Sequence, residues 1–476
     1  MNPLSRSLMR QWASLGPRFL PFADAASADL PLSRLLRLSL FQVSVGMALA
    51  LLVGSLNRVL IVELGVSAAL VAIMVALPVL YAPLRAIVGF KSDHHRSALG
   101  WRRVPFIWMG TLMQFGGLAV MPFALLVLAG AGDSQQWPSW LGHAGAAVAF
   151  LMVGAGLHTV QTAGLALATD LAPAEDRPKV VGLMYVMLLL GTIASAFLIG
   201  AFLADFSPGR LVQVIQACAV VTLVLNGVAM WKQESIGPSR KRRAGDETPD
   251  PDFRQSWQAF VQLDGTRRRL LAIGLGTMGF AMQDVLLEPY GAQLLAMSVG
   301  QTTWLTAALA AGGLAGFTLA SRVLQRGFDP ARLAGLGAWV GVPAFALVLS
   351  AALTVSLPSF VLGVVLIGFG GGLFGHGTLT MTMNRAPREQ AGLALGAWGA
   401  VQATAAGVAV ALGGVLRDAM AALATQGFLG PALNGAGTGY AVVYAIEIVL
   451  LLGTAWLMHT VLRSPTSQPQ QPCWSP

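Results

Sequence analysis

The chain has 476 residues, 55% of them hydrophobic and 11% charged, with a net charge of +9 and a mean hydropathy of +0.67. Soluble globular proteins carry about 25% charged residues, so this composition excludes a soluble enzyme and points to a multi-pass membrane protein. The two cysteines, Cys218 and Cys473, are too few for a disulfide framework, and no paired Cys and His spacing marks a metal site.

Residues 1–33 form a leader. Leu4, Leu8, Trp12 and Leu15 recur at helical spacing, with Arg6 and Arg10 between them. That pattern suits either a short basic interfacial helix on the membrane surface or a flexible leader. The first apolar run begins after this stretch, a layout unlike that of a cleavable signal peptide. A crossing needs about 20 apolar residues. On that measure the apolar segments predict about twelve helices, near 34–57, 67–90, 104–130, 141–169, 179–204, 209–233, 269–291, 300–325, 331–354, 358–384, 390–416 and 439–463.

The longest internal polar stretch, 234–268, carries Lys241-Arg242-Arg243 and then Asp246, Glu247, Asp250 and Asp252. It divides the chain into two six-helix bundles, 34–233 and 269–463, joined by a cytoplasmic linker. The tail, 464–476, is rich in Pro, Gln and Ser and reads as disordered. Of the 30 Lys and Arg residues, 26 fall on one side of the predicted helices, 3 on the other, and Arg85 lies within a span. The positive-inside rule then places both termini in the cytoplasm. The excess positive charge is an orientation signal, and no nucleic-acid partner is expected.

The halves look like repeats. The fourth helix ends in Thr162-Ala163-Gly164-Leu165, Asp170-Leu171-Ala172-Pro173 and Glu175, and the tenth in His376-Gly377-Thr378-Leu379, Asn384-Arg385-Ala386-Pro387 and Glu389. The spacing matches across the helix end and its loop. Two related six-helix halves are the layout of the major facilitator superfamily. The expected fold is therefore an all-α polytopic membrane protein, major-facilitator-like, with about 12 transmembrane helices.

Few groups within the apolar segments can carry chemistry. Asp284 and Glu288 stand four residues apart in the seventh segment, a spacing that puts both on one helical face. A carboxylate at that depth costs roughly 2.5 kcal/mol or more by insertion scales, so it is rare without a partner or a task. Proton relay, cation site, ligand anchor and structural capping all remain open. Pro289 follows and predicts a kink there. Arg85 either snorkels to the interface or pairs with an acid or a ligand carboxylate. His158, with Gln161 on nearly the same face, sits among glycines on the fourth helix; His376 sits in a glycine run on the tenth. A neutral imidazole can be an axial ligand to a metal in a macrocycle, or simply bond to a neighbouring helix. The loop Gly89–Arg96, continuing to Gly100-Trp101-Arg102-Arg103, carries Asp93 among arginines. Asp93, Arg102 and Arg103 suit a cytoplasmic latch between helices or a solvated basic loop. No P-loop, dinucleotide fingerprint, nucleophile elbow or zinc-protease motif occurs, so catalysis is not expected.

Several strings resemble one family. They are Leu35-Leu36-Arg37-Leu38-Ser39-Leu40-Phe41-Gln42, Leu56-Asn57-Arg58-Val59-Leu60-Ile61-Val62-Glu63-Leu64-Gly65, Phe90-Lys91-Ser92-Asp93, Gly100-Trp101-Arg102-Arg103-Val104-Pro105, Gln161-Thr162-Ala163-Gly164-Leu165-Ala166 and Gln283-Asp284-Val285-Leu286-Leu287-Glu288-Pro289-Tyr290-Gly291. Together they resemble the PucC/LhaA family, the bacteriochlorophyll delivery family of major-facilitator relatives. The leader of thirty-odd residues is more like the LhaA branch. The resemblance implies a role in a phototrophic bacterium, in the inner, photosynthetic intracytoplasmic membrane. It implies help in assembling light-harvesting complex 1, with bacteriochlorophyll and carotenoid as the pigments concerned. The implied partners are the antenna α and β polypeptides, assembly intermediates of the reaction centre with its antenna, and pigment-synthesis enzymes. It implies no resident metal beyond the magnesium of the pigment. The family's pigment residues do not carry over; His158, Gln161 and His376 are candidates on physical grounds, with Asp284, Glu288 and Arg85 as intramembrane anchors. A proton-coupled transporter of a small molecule or pigment precursor is the rival reading.

Overall fold

The computed structural model describes residues 30–81, 85, 88, 92, 97, 100–128, 138–173, 177–234, 262, 265–385, 391–430, 433–435 and 437–463. The leader up to residue 29, most of the linker, the tail and Asp93 lie outside the described residues.

The first span, α1, runs over Leu32–Glu63 and takes wide i→i+5 turns over Ala50–Leu56 and Val59–Glu63. The second apolar segment is described over α2, Ala68–Ala76, and a tighter turn, Leu77–Tyr81. Then follow α3 (Val104–Leu128), α4 (Ser139–Leu171), α5 (Arg177–Phe202) and α6 (Pro208–Met230). In the second half come α7 (Thr266–Ala281), α8 (Leu287–Leu295), α9 (Val299–Gln325), α10 (Pro330–Thr354), α11 (Leu357–Arg385), α12 (Ala391–Thr425) and α13 (Thr438–Arg463). Among the described residues 10 helices are long and apolar enough to cross a bilayer, and α7 with α8 makes an eleventh, bent by 45°. Large apolar side chains stand out on the surface, among them Leu353 at 87%, Trp456 at 67% and Phe202 at 64% exposure. Such a belt suits lipid, where every backbone group must be satisfied within the helix itself.

Glycine sets the packing distance inside each half. A Cβ at Gly110 on α3 would lie 2.8 Å from the Gly156 carbonyl on α4, and one at Gly337 on α10 would lie 2.6 Å from that of Gly370 on α11. Only hydrogen fits there, so the backbones meet directly.

The sequence predicts a kink at Pro289, and the structure corrects its place. The helix breaks earlier, in a tight 3₁₀ turn over Met282–Val285. Pro289 sits in the first turn of α8, where a missing N–H leaves no bond unmade. The break also cancels the expectation that Asp284 and Glu288 share a helical face, because continuous α-helical spacing does not run from one to the other. Tyr290 anchors the second limb: its ring lies 5.4 Å from those of Phe360, Tyr440 and Tyr444, and its hydroxyl donates to the Val348 carbonyl at 2.7 Å.

Contacts between the halves concentrate at the end away from Leu30 and Arg463. There α1 meets α8 and α9, and α2 packs on α12. Helices α5 and α9 pack on each other along more of their length: Gly200 faces Trp304, the Leu189 side chain reaches Gly313, and Tyr185 approaches Phe317. Helices α4 and α11, by contrast, have no extensive packing on each other among the described residues.

Candidate functional site

Two polar constellations lie within the spans, at different depths. The first is built on α4. His158 and Gln161 are three residues apart, so they point to nearly the same side of the helix. Arg85 reaches across from the second segment. Its Nε donates to Thr162 Oγ1 at 3.2 Å and its Nη2 to Gln161 Oε1 at 3.2 Å. Gln161 Nε2 in turn donates to Gln42 Oε1 on α1 at 3.5 Å. Among the described residues the Arg85 guanidinium is held by neutral oxygens and has no acid partner. His158 and Tyr185 of α5 both lie within electrostatic reach of it. His158 Nδ1 is buried with no hydrogen-bond partner among the described residues.

Tyr185 carries the constellation to the other half. Its ring is 6.4 Å from Phe317 on α9, and Phe317 meets the His376 ring of α11 edge-on at 4.2 Å. The two histidines, 218 positions apart by their numbers, therefore stand at the ends of one chain: His158, Arg85, Tyr185, Phe317, His376. Nothing in the sequence singles out Tyr185 and Phe317, since aromatics in apolar helices are common. The glycine run around His376 mostly serves packing: Gly370 faces Gly337, and Gly377 faces the Pro330 carbonyl and the Ala334 backbone. A Cβ added at Gly375, next to His376, would meet nothing within 4 Å among the described residues.

The second constellation surrounds the break between α7 and α8. Glu447 of α13, a lone acid in the sequence, supplies what the broken helix needs: its carboxylate accepts from the Gln283 amide at 2.8 Å. Gln283 Nε2 bonds to the Asp284 carboxylate, and Asn57 of α1 donates to the Asp284 carbonyl at 3.2 Å. Glu288 accepts from Thr306 on α9 and feels the positive charge of Arg58. Arg58 itself pairs with Glu63 and donates to the Met297 carbonyl at 3.3 Å. Ser55 and Thr303 bond across the same seam at 3.2 Å. Asp284 and Glu288 thus have different partners and belong to a network that ties α1 to the second half.

The basic loop behaves as a clamp within the first half. Arg103, 5% exposed, pairs with Asp170 at the end of α4 at 3.0 Å and donates to Ser92 at 2.5 Å. The Glu234 carboxylate, just past α6, accepts from the amides of Arg102, Arg103 and Val104 at 3.0 to 3.2 Å. A carboxylate on the free amides at a helix start is favourable in charge and hydrogen bonding alike. Of the three latch residues, Arg102 and Arg103 are placed in this way, and Asp93 lies outside the described residues.

The family described as PUCC protein matches residues 55–466. The chain belongs to the PucC family. Protein PucC of Rhodovulum sulfidophilum is 61% identical over 420 residues, covering 88% of this chain and 92% of that one. Protein PucC of Cereibacter sphaeroides is 54% identical and covers 98% of both. A PucC protein therefore matches this chain nearly end to end, so the length of this chain is no mark of the LhaA branch. Among solved structures, the inward-facing, unoccupied form of a bacterial homologue of the human lysosomal transporter Spinster superposes with a TM-score of 0.66 at 16% identity, covering 90% of this chain and 96% of that one. At that identity the likeness shows the fold alone, which is of the major-facilitator type.

Proposed function

We propose that this PucC-family protein assists assembly of a light-harvesting antenna, holding bacteriochlorophyll at the seam between its halves and presenting it to the antenna α and β polypeptides. The observation that supports this is the chain from His158 to His376, which puts an imidazole on each side of the Tyr185–Phe317 contact. The buried Nδ1 of His158, which has no hydrogen-bond partner among the described residues, fits such a ligand, because a buried polar atom normally has a partner. The pigment, when bound, would bring a magnesium ion able to accept a nitrogen ligand. His158 or His376 would supply that nitrogen, Tyr185 and Phe317 would flank the pigment, and the surrounding apolar helices would exclude water. Carotenoid, being apolar, would contact the lipid-exposed faces. The protein is read as a non-enzyme in the photosynthetic inner membrane, with both termini cytoplasmic and its seam opening toward that side. Reaction-centre intermediates and pigment-synthesis enzymes are the expected neighbours, and light-harvesting complex 1 is the expected client.

Gentle purification from the native membrane tests this reading. Near-infrared absorbance should copurify, fall in His158→Ala and His376→Ala, and be matched by loss of an antenna band in a deletion strain. A colourless preparation together with normal antenna in the deletion strain would overturn it. The deletion spectrum also identifies the client complex.

A second reading, proton-coupled movement of a small molecule or pigment precursor, draws on Glu288, 2% exposed where α1 meets α9. A carboxylate at a contact that must part and re-form could couple its proton to that movement. Flux into proteoliposomes that is abolished by Glu288→Gln and Asp284→Asn would favour it.

A further inference from the structure

Arg85 is a cation inside the molecule with no carboxylate beside it among the described residues. Its nearest partners, Gln161 and Thr162, are neutral, and its electrostatic neighbours are Tyr185 and His158. Among the described residues the two fully buried arginines have carboxylate partners, Arg58 with Glu63 and Arg103 with Asp170, as does half-buried Arg417 with Asp418; half-buried Arg34, at the start of α1, is held like Arg85 by neutral oxygens, those of Gln233. A buried positive charge ordinarily acquires a counter-charge, because its own hydration has been removed. Gln161 and Thr162 fix two of the guanidinium nitrogens, which leaves Nη1 without a partner among the described residues. A guanidinium fork is suited to a planar or tetrahedral oxyanion.

We propose that Arg85 receives the anionic head of an amphipathic ligand, a carboxylate or a phosphate, whose apolar body runs along Tyr185 and Phe317 toward His376. This rests on the pigment-binding reading for the location of the ligand, and it adds a specificity that reading does not contain. Esterified bacteriochlorophyll carries no free carboxylate, so it cannot satisfy Arg85. A tetrapyrrole free acid can, and so can an anionic phospholipid. Arg85 would then discriminate between an acid and its ester at one position of the seam, with Gln161 and Thr162 as positioning residues for the guanidinium.

The test uses the full-length protein in nanodiscs made from zwitterionic lipid. Binding of three probes is followed by pigment absorbance shifts and native mass spectrometry: the pigment free acid, the esterified pigment, and phosphatidylglycerol. In the unaltered protein the free acid, the phospholipid or both should bind about tenfold more tightly than a neutral counterpart, the ester or a zwitterionic lipid. Arg85→Gln should abolish that preference while leaving ester binding within about twofold, and Arg85→Lys should restore part of it. Preference for the free acid alone identifies a carboxylate ligand; preference for phosphatidylglycerol alone identifies a lipid head group. Equal binding of acid and ester, with no preference for the anionic lipid, overturns the proposal and leaves the pigment reading standing. Failure of every tetrapyrrole to bind, with phosphatidylglycerol still held through Arg85, overturns the pigment reading and leaves the anion site standing. The selectivity of the unaltered protein decides the matter even if Arg85→Gln does not fold.

Discussion

Gly110 and Gly375 are both glycines in apolar helices, and the structure gives them opposite roles. A Cβ at Gly110 would press on the Gly156 carbonyl at 2.8 Å, whereas one at Gly375 would meet nothing within 4 Å among the described residues. Gly110→Val should destabilise the first half by about 1–3 kcal/mol or more, the usual range for overpacking. Gly375→Ala should be neutral for stability and should alter only ligand binding beside His376. Thermal unfolding in detergent, read side by side for the two variants, checks the contrast. Glu234 makes a similar point about charge. Its carboxylate takes three amides at the start of α3, so Glu234→Ala should cost about 1 kcal/mol, the typical value of a helix cap. An equal melting temperature for this variant and the unaltered protein would show that water caps α3 equally well. None of this was readable from residue type: Glu234 falls in the polar stretch that the sequence marks only as linker.

At the scale of the element, the broken seventh span was half legible. Acids, a proline and apolar flanks in one short stretch announce irregular backbone, and they do sit at a break. The cause, however, lies elsewhere in the chain. Glu447 accepts the Gln283 amide that a continuous helix would have paired internally, and Pro289 merely begins the next limb. Pro289→Ala should therefore leave the bend near 45°. Glu447→Ala should destabilise the second half by about 1–3 kcal/mol, because it strands a buried amide. Paired spin labels on α7 and α8 measure the first outcome and thermal melting the second. A straightened span in Pro289→Ala would return the break to the proline.

For the whole molecule, the distribution of contacts matters more than their number. The seam is shut where Ser55 meets Thr303 and where Gly414 of α12 lies against Ala68 and Ala72 of α2. Helices α4 and α11 have no extensive packing on each other among the described residues. A wedge at the shut end should shift the balance of states, since such packed interfaces switch rather than deform. In a cysteine-free background, Ser55→Cys should resist a membrane-impermeant thiol reagent, and adding Gly414→Leu should make it react at least about tenfold faster. An unchanged labelling rate would mean that this seam does not part.

The sequence by itself determined the class. Runs of apolar residues with few charges can cross only as helices, and the motif strings carried the family. It also supplied the separate candidates, because His158, Arg85, Asp284 and Glu288 are conspicuous in apolar segments whatever surrounds them. Tertiary structure decided which of them meet. Arg85 comes to Gln161 and Thr162, and among the described residues His158 connects to His376 through Arg85, Tyr185 and Phe317, the two aromatics being ordinary in sequence. Asp284 and Glu288, neighbours along the chain, are given separate partners by a break that Glu447 satisfies from α13. The physical reason is range. Hydrophobicity and helical period are local properties, whereas partnership between buried polar groups depends on how distant helices pack. In this chain glycine contacts between helices, and not the polar residues themselves, set that packing.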